Sequence, residues 1–463
     1  MHNGPLVGGR RVVTARRQRI PAGEVMLAEA EHIDAALAHA EAFFPVFRKT
    51  PLYERIQMLE RAVSLFEAHA EELAQLIHRE NHKPLPLARN EAQRAVVTLK
   101  TTLAELWSHR EEHFPLDHTP LGKGRWVVVR RVPLGPVLAI TPFNYPLNLP
   151  MHKVAPALAV GAPVILKPAP LTPLTALRMG ELFLEAGVPP EALQVIPTDN
   201  ALAARMVQDP RVAVLSFTGS AAVGWKLKQE TRAKVVLLEL GGNAGVLVEP
   251  DADLAYAAQR IAVGAFAFSG QVCISVQRIF VHRKVRDAFL THLKEALDRL
   301  DAGTLLCPLI QEQAEHRVDR WVEEALQRGA RIVLERTHTV EGRGIAVRIL
   351  EGVPHDLPLW QEEVFGPVAL LETYDRLEEA LRRVNESRYG LHAGLFTRDI
   401  HRIWQAFEDL EVGGLVINDV PTYRADPMPY GGAKASGLLR EGPRYAMEAY
   451  TEPRALVLTF PSR

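Results

Sequence analysis

Cys273 is one of two cysteines among 463 residues, and it lies in the segment Gly270-Gln271-Val272-Cys273-Ile274-Ser275. The segment before it, 254–268, has the apolar periodicity of a helix, and Gly270 marks a turn. We therefore expect Cys273 on a bend after a helix end, where its thiolate can attack an electrophilic carbon in a cleft. A free cysteine is more commonly a small buried hydrophobe, so its assignment as a nucleophile depends on the residues that accompany it.

Two polar residues that follow apolar strands could complete such a site. Glu239 ends the strand that contains Val235-Val236-Leu237-Leu238, and burial there would raise the pKa of its carboxyl and suit it to act as a general base. Asn144, in Thr141-Pro142-Phe143-Asn144-Tyr145-Pro146, follows another strand. Its side-chain amide could donate to an oxyanion together with the backbone N–H of the cysteine. An asparagine before a proline is otherwise a common turn residue.

Five segments of this kind follow one another along the chain. They are Thr141-Pro142-Phe143-Asn144-Tyr145-Pro146, Phe217-Thr218-Gly219-Ser220, Leu238-Glu239-Leu240-Gly241-Gly242-Asn243, Gly270-Gln271-Val272-Cys273 and Glu362-Glu363-Val364-Phe365-Gly366-Pro367. In this order and spacing the chain resembles the aldehyde dehydrogenase superfamily, from about Glu80 to Gly437. The resemblance implies oxidation of an aldehyde to a carboxylic acid. Cys273 would form a thiohemiacetal and then a thioester, Asn144 would hold the oxyanion, and Glu239 would activate water for hydrolysis.

The resemblance also implies a nicotinamide cofactor, NAD or NADP. It places Lys167 at the adenosine ribose, Glu363 at the nicotinamide ribose and Phe365 beside the nicotinamide ring. Gly219 and Ser220 close a strand and open a helix, whose N-terminal N–H groups suit a pyrophosphate.

The residue three positions after Lys167 indicates the preference between NAD and NADP. In NAD-selective relatives an acidic residue often lies three positions after this lysine, where it would repel a 2′-phosphate. Here that residue is Pro170, so we expect NADP to be accepted as well as NAD. No Gly-x-Gly-x-x-Gly motif is present, so the usual dinucleotide fingerprint is absent.

The rhythm of apolar runs from Val137 onward predicts α/β sheets with parallel strands. The first region has predicted strands at 137–141, 163–167, 193–196, 212–218 and 235–240, with helices at 174–186 and 201–207. A second region has the helix 254–268, the strand 278–282, helices at 285–298 and 311–328, a strand at 331–334 and a helix at 401–410. The segment 27–76 predicts amphipathic helices that Pro45 and Pro51 separate.

We expect two parallel-sheet α/β domains and a β-strand arm. The dinucleotide-binding domain is assigned to 1–115 and 134–241, the catalytic domain to 242–435, and an oligomerisation arm to 116–133 and 446–463. Strands 126–131 and 454–460 lie outside both α/β patterns, and an isolated strand pair is only marginally stable in water. By resemblance such an arm joins a partner subunit, so we expect a homodimer or homotetramer.

The composition excludes several other classes of protein. The net charge of −1 gives no electrostatic reason to bind nucleic acid or an anionic membrane. Two cysteines and no apolar leader at the N-terminus are typical of a cytoplasmic enzyme. The longest apolar stretch, about 154–166, is too short and interrupted to span a bilayer. Two histidine pairs at i,i+4 spacing, His78 with His82 and His109 with His113, have no third ligand nearby, so we expect no metal site.

The substrate is indicated by the segment 417–426, which resembles lactaldehyde dehydrogenases and non-phosphorylating glyceraldehyde-3-phosphate dehydrogenases. Within it, Arg424 is the candidate for the substrate entrance, because its fork of donors suits oxyanions. Asp419 and Asp426 are close in sequence and could instead pair with it. Phosphate-selective relatives tend to have arginine directly before the cysteine, where this chain has Val272, and this favours a small uncharged hydroxyaldehyde.

Two other functions remain open at this point. A CoA-acylating semialdehyde dehydrogenase is mildly favoured by Phe143, where many hydrolytic relatives have tryptophan, but Glu239 argues against it. A non-catalytic protein on the same scaffold is the third possibility. The chain also departs from the family pattern at Leu439 and at Cys307, where relatives have glycine, and we interpret Cys307 as structural.

Overall fold

Two large sheets and a smaller one form the frame of the protein in the computed structural model, which describes residues 3–108 and 111–460. The helices, in chain order, are α1 Ala30–Phe47, α2 Leu52–Ala68, α3 Ala70–Asn81, α4 Leu85–Ser108, α5 Asn148–Val160, α6 Pro173–Glu185, α7 Asn200–Gln208, α8 Ala221–Glu230, α9 Leu254–Phe266, α10 Arg286–Asp298, α11 Ala302–Leu305, α12 Glu312–Gln327, α13 Pro358–Gln361, α14 Leu377–Asn385, α15 Ile400–Asp409 and α16 Pro443–Ala449. Short 3-10 turns occur at Pro120–Gly122, Ala267–Gly270 and Arg283–Val285.

The strands are mostly short, as expected for parallel sheets whose strands are separated by helices. In chain order they are β1 Leu6–Val7, β2 Arg10–Arg11, β3 Arg17–Ile20, β4 Gly23–Met26, β5 Glu112–Pro115, β6 Arg125–Pro133, β7 Val137–Ile140, β8 Val164–Lys167, β9 Leu193–Val195, β10 Val214–Thr218, β11 Val235–Glu239, β12 Ala244–Val248, β13 Val276–His282, β14 Arg331–Val340, β15 Arg343–Glu351, β16 Val368–Tyr374, β17 Tyr389–Gly390, β18 His392–Phe396, β19 Gly414–Ile417, β20 Ala433–Lys434, β21 Gly437–Leu438 and β22 Thr451–Thr459.

The first sheet has the strand order β2-β1-β9-β8-β7-β10-β11-β21. Its central strands, from β9 to β11, are parallel, whereas β1 and β21 pair antiparallel at its two sides. In register, Ile140 lies opposite both Lys167 and Phe217, and Thr218 lies opposite Glu239. Parallel strands bring their carboxyl ends to one edge, so Lys167, Thr218 and Glu239 share the edge at which α/β proteins bind ligands.

The second sheet has the strand order β14-β15-β16-β13-β12-β18-β19. All neighbours from β15 to β19 are parallel, and β14 and β15 form an antiparallel hairpin at one side. The expectation of an α/β protein with two parallel sheets is therefore confirmed, with antiparallel strands added at the sides.

The arm is an antiparallel sheet in the order β22-β6-β5, separate from both large sheets. Strands β22 and β6 pair continuously from Thr451 opposite Pro133 to Thr459 opposite Arg125. Several apolar side chains of this sheet are exposed to solvent, among them Trp126, Leu456 and Leu458. The expected segments 1–115 and 446–463 include residues 1–2 and 461–463, which lie outside the described residues.

Helix α5 lies at the centre of the largest apolar core, and every residue from Asn148 to Ala159 is buried. It packs against helices α2, α4 and α16 and against strands β7 and β8. Burial on all sides explains why its sequence shows little amphipathic periodicity. Among the described helices, none is both long and apolar enough to cross a bilayer.

Two sequence-based expectations about elements differ from the structure. Pro45 does not separate two helices but lies within the last turn of α1, where the missing N–H affects only a helix that ends at Phe47. Pro51 does begin a new helix, as the N-cap of α2. The predicted strand at 331–334 extends to Val340 and turns back through Glu341 and Gly342 into β15, which the sequence analysis missed.

Candidate active site

The cysteine segment is shaped by a left-handed turn after helix α9. Phe268, Ser269 and Gly270 have φ values of 54°, 51° and 75°. For a non-glycine residue this conformation costs about 1 kcal/mol or more, so the surrounding structure must hold it. Ser269 is held at both ends of its side chain, because its hydroxyl donates to the carbonyl oxygen of Cys307 at 2.5 Å and accepts from the Cys307 N–H at 3.0 Å. Cys307 is buried and thus supports this turn through its backbone.

Gly270 lies against the loop that carries Glu363 and Phe365. A Cβ atom added to Gly270 would lie 2.2 Å from the carbonyl oxygen of Gly366, so only glycine fits between the two backbones. Cys273, Glu363 and Phe365 then line one cleft. The bend and cleft expected for Cys273 are present in the structure.

The thiol of Cys273 is half-buried and lies 3.1 Å from the Tyr430 hydroxyl oxygen. Burial raises the pKa of Cys273 to about 12, and the hydrogen bond with Tyr430 acts in the opposite direction. Burial also raises the pKa of Tyr430 well above its ordinary value, so the phenol keeps its proton. The resting state of this site is therefore a neutral thiol beside a neutral phenol.

Asn144 is buried and directed toward the cysteine segment. Its Nδ2 donates to the backbone oxygen of Gln271 at 3.0 Å, two residues before Cys273. An amide nitrogen carries two hydrogens, so one remains for another acceptor. Its Oδ1 has no partner in the described part of the chain.

A buried ion pair fixes the loop that carries Asn144. The ammonium of Lys83 contacts Glu91 and donates to the backbone oxygen of Asn144 at 2.5 Å. It also lies 3.9 Å from the centre of the Tyr145 ring. Glu91 Oε1 accepts the N–H groups of Leu147 and Asn148 at 2.9 and 3.2 Å, which satisfies the N-terminus of α5. The sequence analysis assigned no role to Lys83 or Glu91.

Glu239 ends strand β11 and is almost fully buried, with 2% of its surface exposed. Neither carboxyl oxygen has a hydrogen-bond partner within the described ranges. Burial and the charge of Glu441 raise the pKa of Glu239 well above its ordinary value. Its Oε1 faces Gly431, where an added Cβ would lie only 2.8 Å away, so the carboxyl sits beside the segment that carries Tyr430.

A buried chain of charges continues from Tyr430. The Arg424 guanidinium lies 3.7 Å from the centre of the Tyr430 ring, and its Nη2 bonds Glu441 Oε2 at 3.2 Å. Lys153 Nζ donates to Glu441 Oε1 at 2.7 Å and to Ser216 at 3.2 Å. Although burial opposes it, the charge of Lys153 with those of its neighbours lowers the pKa of Glu441 to about 2.

Arg424 pairs with neither of the two aspartates near it in sequence. Asp419 binds Arg260 at 2.7 Å, and Asp426 binds Arg94 at 2.8 Å and His152 at 3.0 Å. The Arg424 side chain is 7% exposed, and its Nε has no partner in the part of the chain that the structure describes.

The candidate cofactor residues line the carboxyl edge of the first sheet and the adjoining cleft. Burial lowers the pKa of Lys167 to about 8, with the charge of Asp199 opposing it. The N–H of Gly219 donates to the backbone oxygen of Glu239 at 3.0 Å, so it is not free for a ligand. Ser220 is exposed and is the N-cap of α8, with no side-chain capping bond. The free N–H groups are thus those of the following turn.

Glu363 and Phe365 both line the cleft that contains Cys273. Glu363 Oε1 accepts the N–H of Gly242 at 3.1 Å, and burial raises the pKa of Glu363 to about 7. The Phe365 ring meets Phe143 edge-on, with ring centres 5.9 Å apart.

The structure gives a side-chain contact for one histidine of the first pair. His78 Nδ1 bonds the backbone oxygen of Lys83 at 2.8 Å. His109 lies outside the described residues. Within the described ranges, Glu29, Glu31 and His32 bring three possible ligand atoms within 4.8 Å of one another. Glu29 and His32 form the capping box of α1, which explains that cluster.

Comparison with known sequences gives a match over almost the whole chain. A model of the aldehyde dehydrogenase family matches residues 10–456. The 3-sulfolactaldehyde dehydrogenase of Priestia aryabhattai is 39% identical over 470 residues, covering 98% of each chain.

Solved structures agree in fold. Aldehyde dehydrogenase 21 from Physcomitrella patens, in complex with its reaction product succinate, has a TM-score of 0.94 and 36% identity, covering 99% of this chain and 98% of that one. NADP-dependent glyceraldehyde-3-phosphate dehydrogenase from Bacillus halodurans, complexed with NADP, has a TM-score of 0.94 and 31% identity, covering 99% of both. The resemblance inferred from the five motifs is confirmed.

Proposed function

Because the chain belongs to the aldehyde dehydrogenase family, we propose that Cys273 is the nucleophile with which it oxidises an aldehyde to a carboxylic acid. The surroundings of the Cys273 sulfur carry this proposal. Tyr430 Oη lies 3.1 Å from the sulfur, the Asn144 amide binds the carbonyl of Gln271 two residues before the cysteine, and Glu363 lines the same cleft. The cleft thus brings together a nucleophile, an oxyanion donor and a polar group for the cofactor.

The hydride acceptor is NAD or NADP, bound along the carboxyl edge of the first sheet. The hydroxyl oxygens of Thr141 and Thr218 are buried there without partners among the described residues, and Lys167 has no ion pair among them. Such unpaired polar groups fit the hydroxyls and phosphates of a dinucleotide. When bound, its nicotinamide supplies the acceptor for hydride.

NADP is accepted as well as NAD, because Pro170 adds no carboxylate near Lys167. Initial rates with both cofactors test this. A preference for NAD above about 1000-fold, or about 4 kcal/mol, would contradict it.

Acylation begins when the Cys273 thiol gives its proton to solvent water and the resulting thiolate sulfur bonds to the aldehyde carbon. The carbonyl oxygen becomes an alkoxide, which accepts the second Asn144 Nδ2 hydrogen and the Cys273 backbone N–H. Loss of hydride from that carbon then leaves a thioester on Cys273. Tyr430 donates its O–H to the thiolate, since the phenol remains protonated and the cation of Arg424 over its ring strengthens it as a donor.

Glu239 is the base for hydrolysis of the thioester. Burial and the charge of Glu441 raise the pKa of its carboxyl, and water entering the site removes part of that burial. The ionised carboxylate takes a proton from that water, the hydroxide oxygen bonds to the thioester carbon, and the carbon–sulfur bond breaks. Arg424 and Lys153 oppose the effect of Glu441 on Glu239, so their cations favour the ionised form.

The substrate is a short aldehyde that carries an anionic group, in place of the uncharged hydroxyaldehyde expected from Val272. The buried cluster around Tyr430 holds three cations, Arg94, Arg424 and Lys153. Asp426 pairs with Arg94, and Glu441 pairs with both Lys153 and Arg424. The Nε of Arg424 has no partner among the described residues, and this unpaired donor favours a substrate anion. The relatives named for sulfolactaldehyde, succinate and glyceraldehyde 3-phosphate share this chemistry.

Arg424 is the residue we assign to that anion, since it lies on Tyr430 and has an unpaired Nε. The test compares succinate semialdehyde with butanal, which has the same number of carbons. Wild type should prefer the semialdehyde, and Arg424→Gln should lose about 10- to 100-fold in kcat/KM on it alone, the value of a charge-assisted hydrogen bond. An equal loss on both aldehydes would make Arg424 structural.

A CoA-acylating reaction is the second candidate and is separated by its product. A thioester of CoA would form only with CoA present, whereas hydrolysis yields free acid without it. The buried Glu239 favours hydrolysis. Absence of activity with every aldehyde would revive a non-catalytic role.

The working molecule is a homo-oligomer in which the arm, 116–133 and 446–463, docks on a partner. Exposed apolar side chains occur on the arm and on α15, where Ile400, Trp404 and Phe407 are each more than half exposed. Strand β19, next to α15 in sequence, ends the second sheet. The segments 1–115 and 134–241 bind the dinucleotide, and 242–435 carries the cysteine. A monomeric mass by light scattering at micromolar concentration would refute the assembly.

A further inference from the structure

A large cavity separates the arm from the body of the protein, on the side away from Cys273. Its volume is about 730 Å³, within the range of small-molecule sites. The arm strands β6 and β22 form one wall, and the α1–α2 connection and the end of α5 form the other. None of the residues assigned to catalysis or to the dinucleotide lines it.

The lining of this cavity is strongly basic. Its cationic side chains are Arg48, Lys49, Arg55, Arg130, Arg131 and Arg454. The acidic residue among the lining residues is Glu111, which pairs with Arg130 at 3.1 Å. The lining therefore has a local excess of five positive charges, whereas the whole chain has a net charge of −1.

Most of these cations lack a counter-ion. Arg48, Lys49, Arg55 and Arg454 make no ion pair with any residue in the described ranges. Arg55 donates to the backbone oxygen of Ala159, and its Nε is buried without a partner among the described atoms. Burial and the charge of Arg130 lower the pKa of Arg55 to about 10, which shows that the cavity disfavours its own cations.

Two of the arginines are placed against each other. Arg454 of β22 lies directly opposite Arg130 of β6 in the register of the arm. Like charges at such a position destabilise a strand pair. The repulsion is removed if an anion lies between the two guanidinium groups.

Helix α2 adds its N-terminus to the same cavity through Thr50, Pro51 and Leu52. Its N-cap, Pro51, makes no side-chain capping bond, and the Glu54 N–H bonds the Pro51 carbonyl oxygen at 3.2 Å, so the N–H groups of Leu52 and Tyr53 remain for a ligand. Guanidinium groups and a helix N-terminus are the donors that suit phosphate oxygens.

We propose that this cavity binds a small phosphorylated anion, which ties the arm to helix α2. The cavity is partly open to solvent, and its volume accommodates a small phosphorylated metabolite. The proposal does not depend on the assigned catalytic residues. Its consequence is a stiffer arm and hence a more stable assembly when the anion is bound.

The test uses inorganic pyrophosphate as the probe, at constant ionic strength. The native oligomer is first saturated with the cofactor that it reduces, so that the dinucleotide site is filled. Calorimetric titration should show one site per subunit, and the midpoint of thermal denaturation should rise with pyrophosphate concentration.

Three variants locate the site. Arg48→Gln and Arg454→Gln should each weaken pyrophosphate binding at least tenfold. Arg299→Gln, an exposed arginine of another helix end with 81% of its side chain accessible, should leave binding unchanged. Arg454 lies on an exposed strand, so its variant folds even if changes deeper in the cavity do not.

Two results would overturn the proposal. One is equal binding in all three variants, which would place the anion elsewhere. The other is no binding by wild type combined with dissociation of the oligomer in Arg454→Gln, which would mean that carboxylates of a partner subunit fill the cavity.

Discussion

The hydroxyl oxygen of Tyr430 lies 3.1 Å from the sulfur of Cys273, although the two residues are 157 positions apart. The contact links the thiol to the buried charges of Arg424 and Glu441. The reactivity of the thiol is thereby connected to groups that touch neither aldehyde carbon nor sulfur.

Replacing Tyr430 by phenylalanine should slow acylation about tenfold, because the thiolate loses a donor worth about 1.5 kcal/mol. The alkylation rate of Cys273 against pH should also shift to higher pH. Stopped-flow cofactor reduction and iodoacetamide kinetics measure the two effects. Tyr423→Phe, at an exposed tyrosine of the same loop, is the control and should match wild type. An unshifted alkylation profile would remove Tyr430 from the mechanism.

Cys273→Ala should abolish dehydrogenase activity while the fold is retained. The other cysteine, Cys307, is buried and engaged through its backbone with Ser269, so it offers no replacement nucleophile. Cys307→Ala should keep most of the activity. Circular dichroism and steady-state rates decide the matter. One tenth of wild-type turnover in Cys273→Ala would be enough to reject the proposed chemistry.

Glu239→Gln should permit a burst of cofactor reduction and then stall, because the amide cannot accept a proton from water. Intact mass should show the acyl group on Cys273. In wild type, deacylation should accelerate as pH rises through the elevated pKa of Glu239, since only the ionised form is a base. Unchanged steady-state turnover in the variant would show that another group serves as base.

The carboxyl of Glu239 should also lower the free energy of unfolding as the pH rises. The pKa of Glu239 is higher in the folded state than in the unfolded state. Its contribution to the free energy of unfolding is therefore fully present below the unfolded-state pKa and is lost as the pH rises to the folded-state pKa. The stability of Glu239→Gln relative to wild type should therefore increase from pH 4 upward. Urea midpoints at several pH values measure it, and a pH-independent difference would contradict the assignment.

Leu439 has a φ of 65° and an exposed side chain, at the position where relatives have glycine. Asparagine tolerates this left-handed conformation better than leucine, so Leu439→Asn should raise the free energy of unfolding by about 1 kcal/mol. Leu439→Ala keeps the strain and serves as the control. Urea denaturation of the three proteins makes the comparison. A gain in the alanine variant equal to that of asparagine would mean that backbone strain is not the cause.

The sequence located Cys273, Glu239 and Asn144 correctly on a bend and at two strand ends, because each lies in a short segment whose neighbours indicate its local structure. Tyr430, Lys153 and Glu441 were missed. Lys153 and Glu441 are 288 residues apart, and nothing in either local sequence indicates that they meet. Their pairing depends on how α5 and the segment before α16 pack, which no local pattern encodes.

The same limit explains errors in the fold. In β14 and β15 the alternation of apolar and polar residues is interrupted by charged residues, because the two strands form an exposed hairpin. Only the first four residues of β14 were therefore recognised as a strand. Helix α5 is apolar on all sides and lacks the stripe by which amphipathic helices are recognised. The local sequence also does not indicate that the Gly219 N–H donates to the Glu239 carbonyl oxygen of the neighbouring strand.

The close approach of Gly270 to Gly366 limits how far the two segments that line the cleft can move relative to each other. Two peptide units touch there with no side chain between them, one from the segment of the thiol and one from the loop of Glu363 and Phe365. A side chain can adjust its rotamer to absorb a small displacement, but two peptide planes in contact cannot. The distance between the segment of Cys273 and the loop of Glu363 and Phe365 is therefore set by the backbone. Substitutions that are meant to admit larger aldehydes should therefore keep Gly270 and Gly366 and change residues around Arg424.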